Sequence, residues 1–271
     1  MTAALARAVA RADGRPVLLG YSGGLDSGVL LHLLAADPRI RASGLRALHV
    51  HHGLHPDADA WAAHCRAACE GLRVPLEVVR VRVDRDAGLG PEGAAREARH
   101  GAFAAALGEG EVLALAHHRD DQAETLLLRA LRGAGVDGLA AMRRERAFAR
   151  GLLWRPLLDA PRAALLAYAR AHGLRWIEDP GNAGTDPDRN FLRHAVFPLL
   201  RDRWPHAADA LARSAALCAE AADLLAAGDA AALEAVRRGA DTLDVPGLLA
   251  LPAPRRARVL RRWVAELGLP P

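Results

Sequence analysis

Val17-Leu18-Leu19-Gly20-Tyr21-Ser22-Gly23-Gly24-Leu25-Asp26-Ser27 carries an apolar strand through a Gly-rich turn into a helix that begins near Asp26. Adjacent glycines let a main chain approach a ligand closely. The free N–H groups and positive end of the following helix favour an anion there. Ser22 and Ser27 add hydroxyls, and Asp26 is placed to orient a cation or an attacking group. The stretch reads as a phosphate cradle, although an ordinary βα turn has the same outline. A Walker A loop ends in G-K-[ST] and a dinucleotide loop reads G-x-G-x-x-G. The chain has neither, and it contains no lysine at all.

Working outward, apolar runs at 17–20, 47–51, 76–83 and 112–116 alternate with helical patterns at 27–36, 58–70, 91–107 and 120–131. Such alternation implies βαβ units and a parallel sheet. Ligands of these sheets bind outside the carboxyl ends of the strands. The loop 21–27, the His51-His52-Gly53 loop and the His117-His118 loop all fall at that edge, so three loops converge on one crevice. Past Trp204-Pro205 the character changes. An Ala- and Leu-rich tract at 207–238, with a break expected near Gly228, precedes a basic helix at 255–267. These read as a second, all-helical domain after a boundary at 203–207.

A length of 271 residues fits one large or two modest domains with ample core. All 36 basic side chains are arginine, and the net charge is +4. That balance suits a polyanionic partner, and a coding bias replacing Lys by Arg would produce it too. Residues 1–15 suggest a short amphipathic helix without the apolar core of a signal peptide, and no stretch is long enough to span a bilayer. Three cysteines are too few for a disulfide framework, so a cytoplasmic protein is expected. Cys65, Cys69 and Cys218 read as buried structural thiols, and the absence of C-x-x-C argues against a zinc ribbon or an iron–sulfur cluster.

Among candidate functional residues, Asp120-Asp121-Gln122-Ala123-Glu124 gathers carboxylates on one side of a first helical turn. An acidic first turn is a common helix start; beside a phosphate loop, the cluster also suits Mg²⁺ or an ammonium. His49, His51, His52 and His55 lack a partner set with metal-ligand spacing, and contacts to nucleotide fit them better. Pro91 and Glu92 suit a first helical turn. Arg96 and Arg99, at i, i+3 on the same helix, share one face, either solvated or facing an anion. Arg129 and Arg132 precede a Gly133-Ala134-Gly135 turn, while Arg189 and Arg193, at i, i+4, offer one positive face to RNA phosphate. The 255–267 helix, with Arg261 and Arg262, is either a solvated surface or a second such face.

The S-G-G-L-D-S segment resembles the PP-loop of the N-type ATP pyrophosphatases. His49-Val50-His51-His52-Gly53-Leu54, the segment 116–125, Arg132-Gly133-Ala134-Gly135, Arg155-Pro156-Leu157-Leu158 and Arg189-Asn190-Phe191-Leu192-Arg193 follow in the order seen in the tRNA(Ile)-lysidine synthases. The resemblance covers essentially the whole chain. It implies a parallel-sheet, adenine nucleotide α hydrolase-like α/β domain over 1–205 and a smaller all-α, tRNA-binding domain over 206–271. Many members continue into another small domain, so the stop at Pro270-Pro271 is expected to mark a truncation.

For the site, the resemblance implies ATP and Mg²⁺ as cofactors, and L-lysine and a tRNA(Ile) with a CAU anticodon as substrates. A homodimer is compatible with it. Ser22, Gly23, Gly24, Leu25, Asp26, Ser27 and His51 would bind ATP, Asp26 also steering Mg²⁺. Asp121 and Glu124 would hold and deprotonate the lysine amine. Arg96, Arg99, His117, Arg132, Arg189, Asn190, Arg193, Arg261 and Arg262 would face substrate or tRNA. The family usually has Tyr where this chain has His100. Two rival functions share the loop: a PP-loop tRNA thiolase, which generally needs a reactive thiol or cluster, and a non-catalytic ATP-binding module.

Overall fold

The computed structural model describes residues 14–84, 88, 90–182, 184 and 188–268, together with Leu5, Ala8 and Val9. The rest of the helix expected over 1–15, most of the polar loop before Asp188, the side chains of Pro91 and Glu92, and Pro270-Pro271 lie outside the described residues. Six strands, β1 (Val17–Gly20), β2 (Leu45–His51), β3 (Leu76–Arg80), β4 (Val112–Ala114), β5 (Glu145–Phe148) and β6 (Gly151–Trp154), form one sheet in the order β3-β2-β1-β4-β6-β5. All neighbouring pairs run parallel except β5 with β6.

Helices α1 (Leu25–Ala36), α2 (Pro38–Ser43), α3 (Ala58–Gly71), α4 (Gly90–Ala106), α5 (Arg119–Leu131), α6 (Val136–Leu139) and α7 (Arg162–Ala171) punctuate the sheet. Both its faces are covered, which explains the continuous apolar run of β1: Val17, Leu18 and Leu19 are all fully buried. Successive side chains serve opposite layers. Val17 and Leu19 join Leu30, Leu34, Leu165 and Tyr168 on one face, whereas Leu18 joins Leu48, Phe103, Leu107 and Leu113 on the other. The strand order reverses around β1, whose neighbours are β2 and β4, so the loops leaving β1 and β4 open onto one crevice.

The four strands and four helices expected up to Leu131 are present with ends shifted by up to three residues. The β5–β6 hairpin was not legible in the residues 143–150. Its turn places Ala149, rather than Gly or Asn, at a positive φ of 47°, so the usual hairpin signal is missing.

After a 3₁₀ turn at Pro180–Asn182, α8 (Asp188–Phe191) runs through a π-helical stretch at Leu192–Val196 into α9 (Phe197–Arg203). The all-helical remainder comprises α10 (Ala207–Val236), α11 (Val245–Ala250) and α12 (Ala253–Glu266). The break expected near Gly228 does not occur. Packing outweighs glycine's helix penalty of about 1 kcal/mol, and the Arg255 guanidinium lies against the bare Cα, 3.0 Å from where a Cβ would stand. The first half of α10 packs on the α/β unit, where Ala208 and Ala215 meet Ala123 and Leu126 of α5. Its second half forms a small core of Leu233 and Val236 with Val259 of α12. Arg258 of α12 reaches the buried Asp229 at 2.7 Å and Asp137 of α6 at 2.7 Å, tying the last helix to both parts. No helix among the described residues is long and apolar enough to cross a membrane.

Two stability tests arise from this packing. A Cβ on Gly151 would lie 2.1 Å from the Glu111 carbonyl oxygen, a backbone atom that cannot swing away. Gly151→Ala is expected to cost about 1–3 kcal/mol in urea unfolding, whereas Gly101→Ala, facing open space in mid-helix, should gain about 0.5–1 kcal/mol. A second test concerns His100, whose pKa is pushed down to about 4 by burial and then by Arg96, Arg99, Arg146 and Arg155. The unfolded chain takes a proton there near pH ~6.5, so this contribution is intact above that value and is lost as pH falls toward the folded pKa. Stability of the ligand-free protein should therefore decline on acidification through that window. The decline should be shallower by one proton in His100→Gln.

Candidate functional site

The turn between β1 and α1 is built around Gly23, which has a φ of +85°. A Cβ there would stand 2.5 Å from Ile177 Cδ1 and 2.9 Å from Cys65 Sγ, so only glycine fits. Ile177 N–H donates to the Gly23 carbonyl at 2.9 Å, fastening the loop from outside the sheet. The hydroxyls of Ser22 and Ser27 meet at 3.0 Å, and Ser27 also donates to the Gly24 carbonyl at 3.1 Å. No side chain caps the N-terminus of α1. Its first N–H groups are therefore available to an anion, as a phosphate cradle requires. Leu25 can contribute through its main chain only, because its side chain is buried in the core.

Across the crevice, α5 opens on a reciprocal cap. The N–H of His118 donates to Asp121 Oδ2 at 3.0 Å, and His118 Nδ1 accepts from the Asp121 N–H at 3.3 Å. The His118 ring is buried, with Nε2 3.4 Å from Asp121 Oδ2 and 3.6 Å from Asp26 Oδ2. His118 thus spans the phosphate loop and the acidic helix. Burial works against a charged ring, but Asp121, Asp26 and Asp120 outweigh it and raise the His118 pKa above its ordinary value. Asp120 turns away from the crevice, accepting the Arg162 N–H at 2.8 Å at the start of α7 and pairing with Arg201 at 2.5 Å. The common-helix-start reading is therefore right for Asp120.

Glu124 is only 2% exposed. Arg193 grips it with two hydrogen bonds, Nε to Oε1 at 2.8 Å and a terminal nitrogen to Oε2 at 2.9 Å, and reaches Asp121 Oδ1 at 3.2 Å. Arg189 approaches Glu124 at 3.7 Å and donates to Thr125 Oγ1 at 3.1 Å. The expected outward face of Arg189 and Arg193 is thus corrected: the spacing holds, but both guanidiniums turn inward onto the carboxylates. Burial raises the Glu124 pKa above the usual carboxylate range, with Arg193 and Arg189 opposing and Asp121 reinforcing. Asn190, also buried, donates to the Gly181 carbonyl at 3.1 Å and fixes the preceding turn.

A third wall is basic. Arg155, 4% exposed at the carboxyl end of β6, donates to the Arg143 carbonyl at 2.7 Å and to His117 Nδ1 at 3.2 Å. Burial, then Arg146, Arg96 and Arg129, push its pKa down to about 10. His117 is held at about 3, chiefly by burial, with Arg155, Arg189 and Arg96 adding to the effect and Asp121 opposing it. His52 is lowered by burial and by Arg99. Arg96, Arg99, Arg146, Arg155 and Arg189 therefore concentrate positive potential around His117, His100 and His52. Such a wall suits an anionic ligand.

His51 is buried and pairs with Asp59 at 3.2 Å. Among the described residues, no three His, Cys, Asp or Glu side chains gather as a metal site. Asp26 Oδ1 is nevertheless enclosed without a hydrogen-bond donor. A carboxylate oxygen that lacks a hydrogen-bond donor beside a phosphate cradle, with Arg162 Nε 3.9 Å away, fits Mg²⁺, which takes few protein ligands and fills its shell from phosphates and water.

Several residues lie away from the crevice. Arg132 pairs with Asp188 at the exposed end of α5. On α12, Arg262 pairs with Glu266 at 3.0 Å, and Arg261 is exposed. Cys65 and Cys69 are fully buried, with thiols pushed up by burial to about 12 and about 11, as the structural reading expected; Cys218 is half-buried on α10. His118 and Arg155 stood within motifs quoted from the sequence but were given no role of their own there. An H-x-x-D step opening a helix is a capping-box pattern that could have revealed the first.

With this geometry in hand, comparison with known proteins is informative. Residues 1–200 match a PP-loop domain family, and residues 243–271 match a TilS substrate binding domain. A tRNA(Ile)-lysidine synthase of Xanthomonas axonopodis pv. citri is 64% identical over 94% of this chain and 58% of its own length. The proteins of that name from Xylella fastidiosa and Yersinia pseudotuberculosis are 57% and 49% identical over 95% of the chain. The chain thus spans somewhat under two thirds of the length of the curated relatives it matches. A solved U34-tRNA thiolase from Methanococcus maripaludis with its [4Fe-4S] cluster superposes with a TM-score of 0.62 at 16% identity, over 79% of this chain and 75% of the other, a likeness of fold. The glycine-bounded loop, the parallel sheet and the match over residues 1–200 agree, and the chain belongs to the PP-loop domain family.

Proposed function

We propose that the chain carries the catalytic part of a cytoplasmic tRNA(Ile)-lysidine synthase. It would use ATP to join L-lysine to C2 of the wobble cytidine in a CAU anticodon, forming lysidine and moving decoding from AUG to AUA. The observation that carries this reading is the juxtaposition across His118. Its ring lies 3.6 Å from Asp26 of the phosphate loop and 3.4 Å from Asp121 of the carboxylate pair. A phosphate site and a cation site therefore share one buried hinge. The relatives' identities of 49–64% support the same assignment.

In this reading, O2 of the cytidine attacks the α-phosphate of ATP, pyrophosphate leaves, and the lysine ε-amine then displaces AMP from C2. The Ser22–Ser27 turn holds the departing pyrophosphate through main-chain N–H groups and the two hydroxyls. Asp26 would hold Mg²⁺, which neutralises phosphate charge when bound. His51 borders the nucleotide, and Arg96, Arg99 and His117 face the activated base and its phosphate. Asp121 and Glu124 receive the lysine ammonium. Arg193 already contacts both carboxylates and offsets one of their two charges, which supports a cation site there. The raised pKa of Glu124 suits it to take the ammonium's proton. Reaching the base requires it to leave the stack.

Residues 1–205 would form the catalytic domain and 206–271 a tRNA-binding region, with Arg189, Asn190 and Arg193 beside the carboxylate pair where the wobble base enters and Arg132, Arg261 and Arg262 on tRNA phosphate. The thiolase alternative finds no support in the cysteines, since Cys65 and Cys69 are buried with raised pKa values. A non-catalytic module would leave the carboxylate pair without a task.

Incubating the chain with tRNA(Ile), ATP and labelled lysine should yield labelled lysidine on nucleoside analysis; ATP binding without any modified cytidine would return it to a binding module. Glu124→Gln removes a charge-assisted contact worth about 1.5–3 kcal/mol. That predicts a loss of about one to two orders of magnitude in lysine affinity, with adenylated tRNA accumulating in rapid-quench experiments. Failure of adenylation with lysine dependence unchanged would instead assign the pair to Mg²⁺.

A further inference from the structure

Arg155 follows β6, whose last residue, Trp154, is paired with Ala114 of β4. The register continues one step further, where the Leu115 N–H donates to the Trp154 carbonyl at 2.9 Å. The chain from β4 reaches His117 two residues later, so the sheet itself brings Arg155 and His117 together. The guanidinium is fixed from the hairpin side, where a terminal nitrogen donates to the Arg143 carbonyl at 2.7 Å, and its Nε–H is then directed at His117 Nδ1 at 3.2 Å. A guanidinium has five donors and no acceptor. Nδ1 must therefore be the bare nitrogen of the ring, and the hydrogen of the neutral imidazole must sit on Nε2. The groups acting on this ring are Asp121 of α5, Arg155, Arg189 of α8 and Arg96 of α4, three cations against one carboxylate.

We propose that Arg155 is a positioning residue which, by donating to Nδ1, holds His117 as the neutral Nε2–H form, so that His117 serves in the cleft as a hydrogen-bond donor to an anionic reacting group and not as a base. The proposal rests on the nucleotidyl-transfer reading given above. A neutral donor fixed by a buried cation needs no reorganisation when negative charge develops on the phosphate or on the base oxygen. It also loses no proton to the ligand, which a protonated histidine would do. The pKa of about 3 for His117 agrees with the geometry, because it keeps the ring uncharged throughout the working range. His118 beside it has the opposite disposition, raised by carboxylates. The two adjacent imidazoles are thus set for different tasks, one neutral and facing the arginines, the other drawn toward positive charge among the acids.

Long-range ¹H–¹⁵N spectra of the ligand-free full chain, labelled at histidine, read the form of the ring directly, with the His117 signals identified by their loss in His117→Gln. The expected result is an unprotonated Nδ1 and a protonated Nε2 that stay unchanged from about pH 8 to about pH 5. In Arg155→Met, where burial still opposes a charged ring, Nδ1 loses its donor and the two nitrogen signals should move toward each other as the Nδ1–H tautomer becomes populated. A proton on Nδ1 in the unaltered chain, or titration of His117 within that range, would overturn the proposal without any variant having to fold. Single-turnover pyrophosphate release separates donor from base. His117→Ala should lose roughly 10²-fold, and His117→Gln, whose amide can donate but cannot take a proton, should recover a measurable part. Equal loss in both variants would contradict the donor role. Absence of tRNA-dependent pyrophosphate release by the unaltered chain would count against the nucleotidyl-transfer reading alone, since the spectra decide the tautomer independently.

Discussion

The reciprocal cap that joins His118 to Asp121 is the constraint on which the crevice depends. By closing the first turn of α5 it satisfies main-chain groups that would otherwise be orphaned, and it fixes Asp121 at one end of a carboxylate pair. The same ring reaches Asp26 in the phosphate loop, 3.6 Å away. Loosening this one contact would free the acidic helix from the loop it faces. Stability and function are therefore hard to separate at His118, which explains why a histidine, with two ring nitrogens to use, occupies the capping position instead of the more usual serine or aspartate.

Charge distribution follows from that arrangement. Carboxylates of Asp26, Asp121 and Glu124 gather on one side of the crevice, while Arg96, Arg99, Arg146 and Arg155 crowd the other. Removing a charge from water is costly, and a buried ion persists only where partners are well placed. Glu124 meets this condition through the bidentate grip of Arg193. Among the described residues, Arg155 meets it through neutral acceptors, the Arg143 carbonyl and His117. Arg155 thus keeps an attraction for an anion, whereas Asp121 and Glu124 already share an internal cation. Binding at the two walls should differ accordingly, with nucleotide attracted to standing potential and an ammonium entering by exchange with Arg193.

Much of this was legible in the residues because parallel strands buried on both faces leave continuous apolar runs, and β1 and β4 have them. The phosphate loop was legible for a similar reason: its glycines and hydroxyls are local in sequence. The β5–β6 hairpin was not, since an alanine at positive φ replaces the usual turn residues. Spacing showed that Arg189 and Arg193 share a face. It could not show which way that face turns, a matter decided by the buried Glu124 some 69 positions earlier. The roles of Arg155 and His118 were hidden for the same reason, because each is defined by a contact across the sheet. Gly228 misled in the other direction, its helix penalty being overridden by α12 packing alongside.

The most direct test is a crystal structure of the chain with lysine and a non-hydrolysable ATP analogue. The lysine ammonium should lie within hydrogen-bonding distance of Asp121 and Glu124, with Arg193 withdrawn from at least one of them and the analogue's phosphates on the Ser22–Ser27 turn. A metal ion or phosphate on those two carboxylates, with the lysine side chain bound elsewhere, would contradict the assignment.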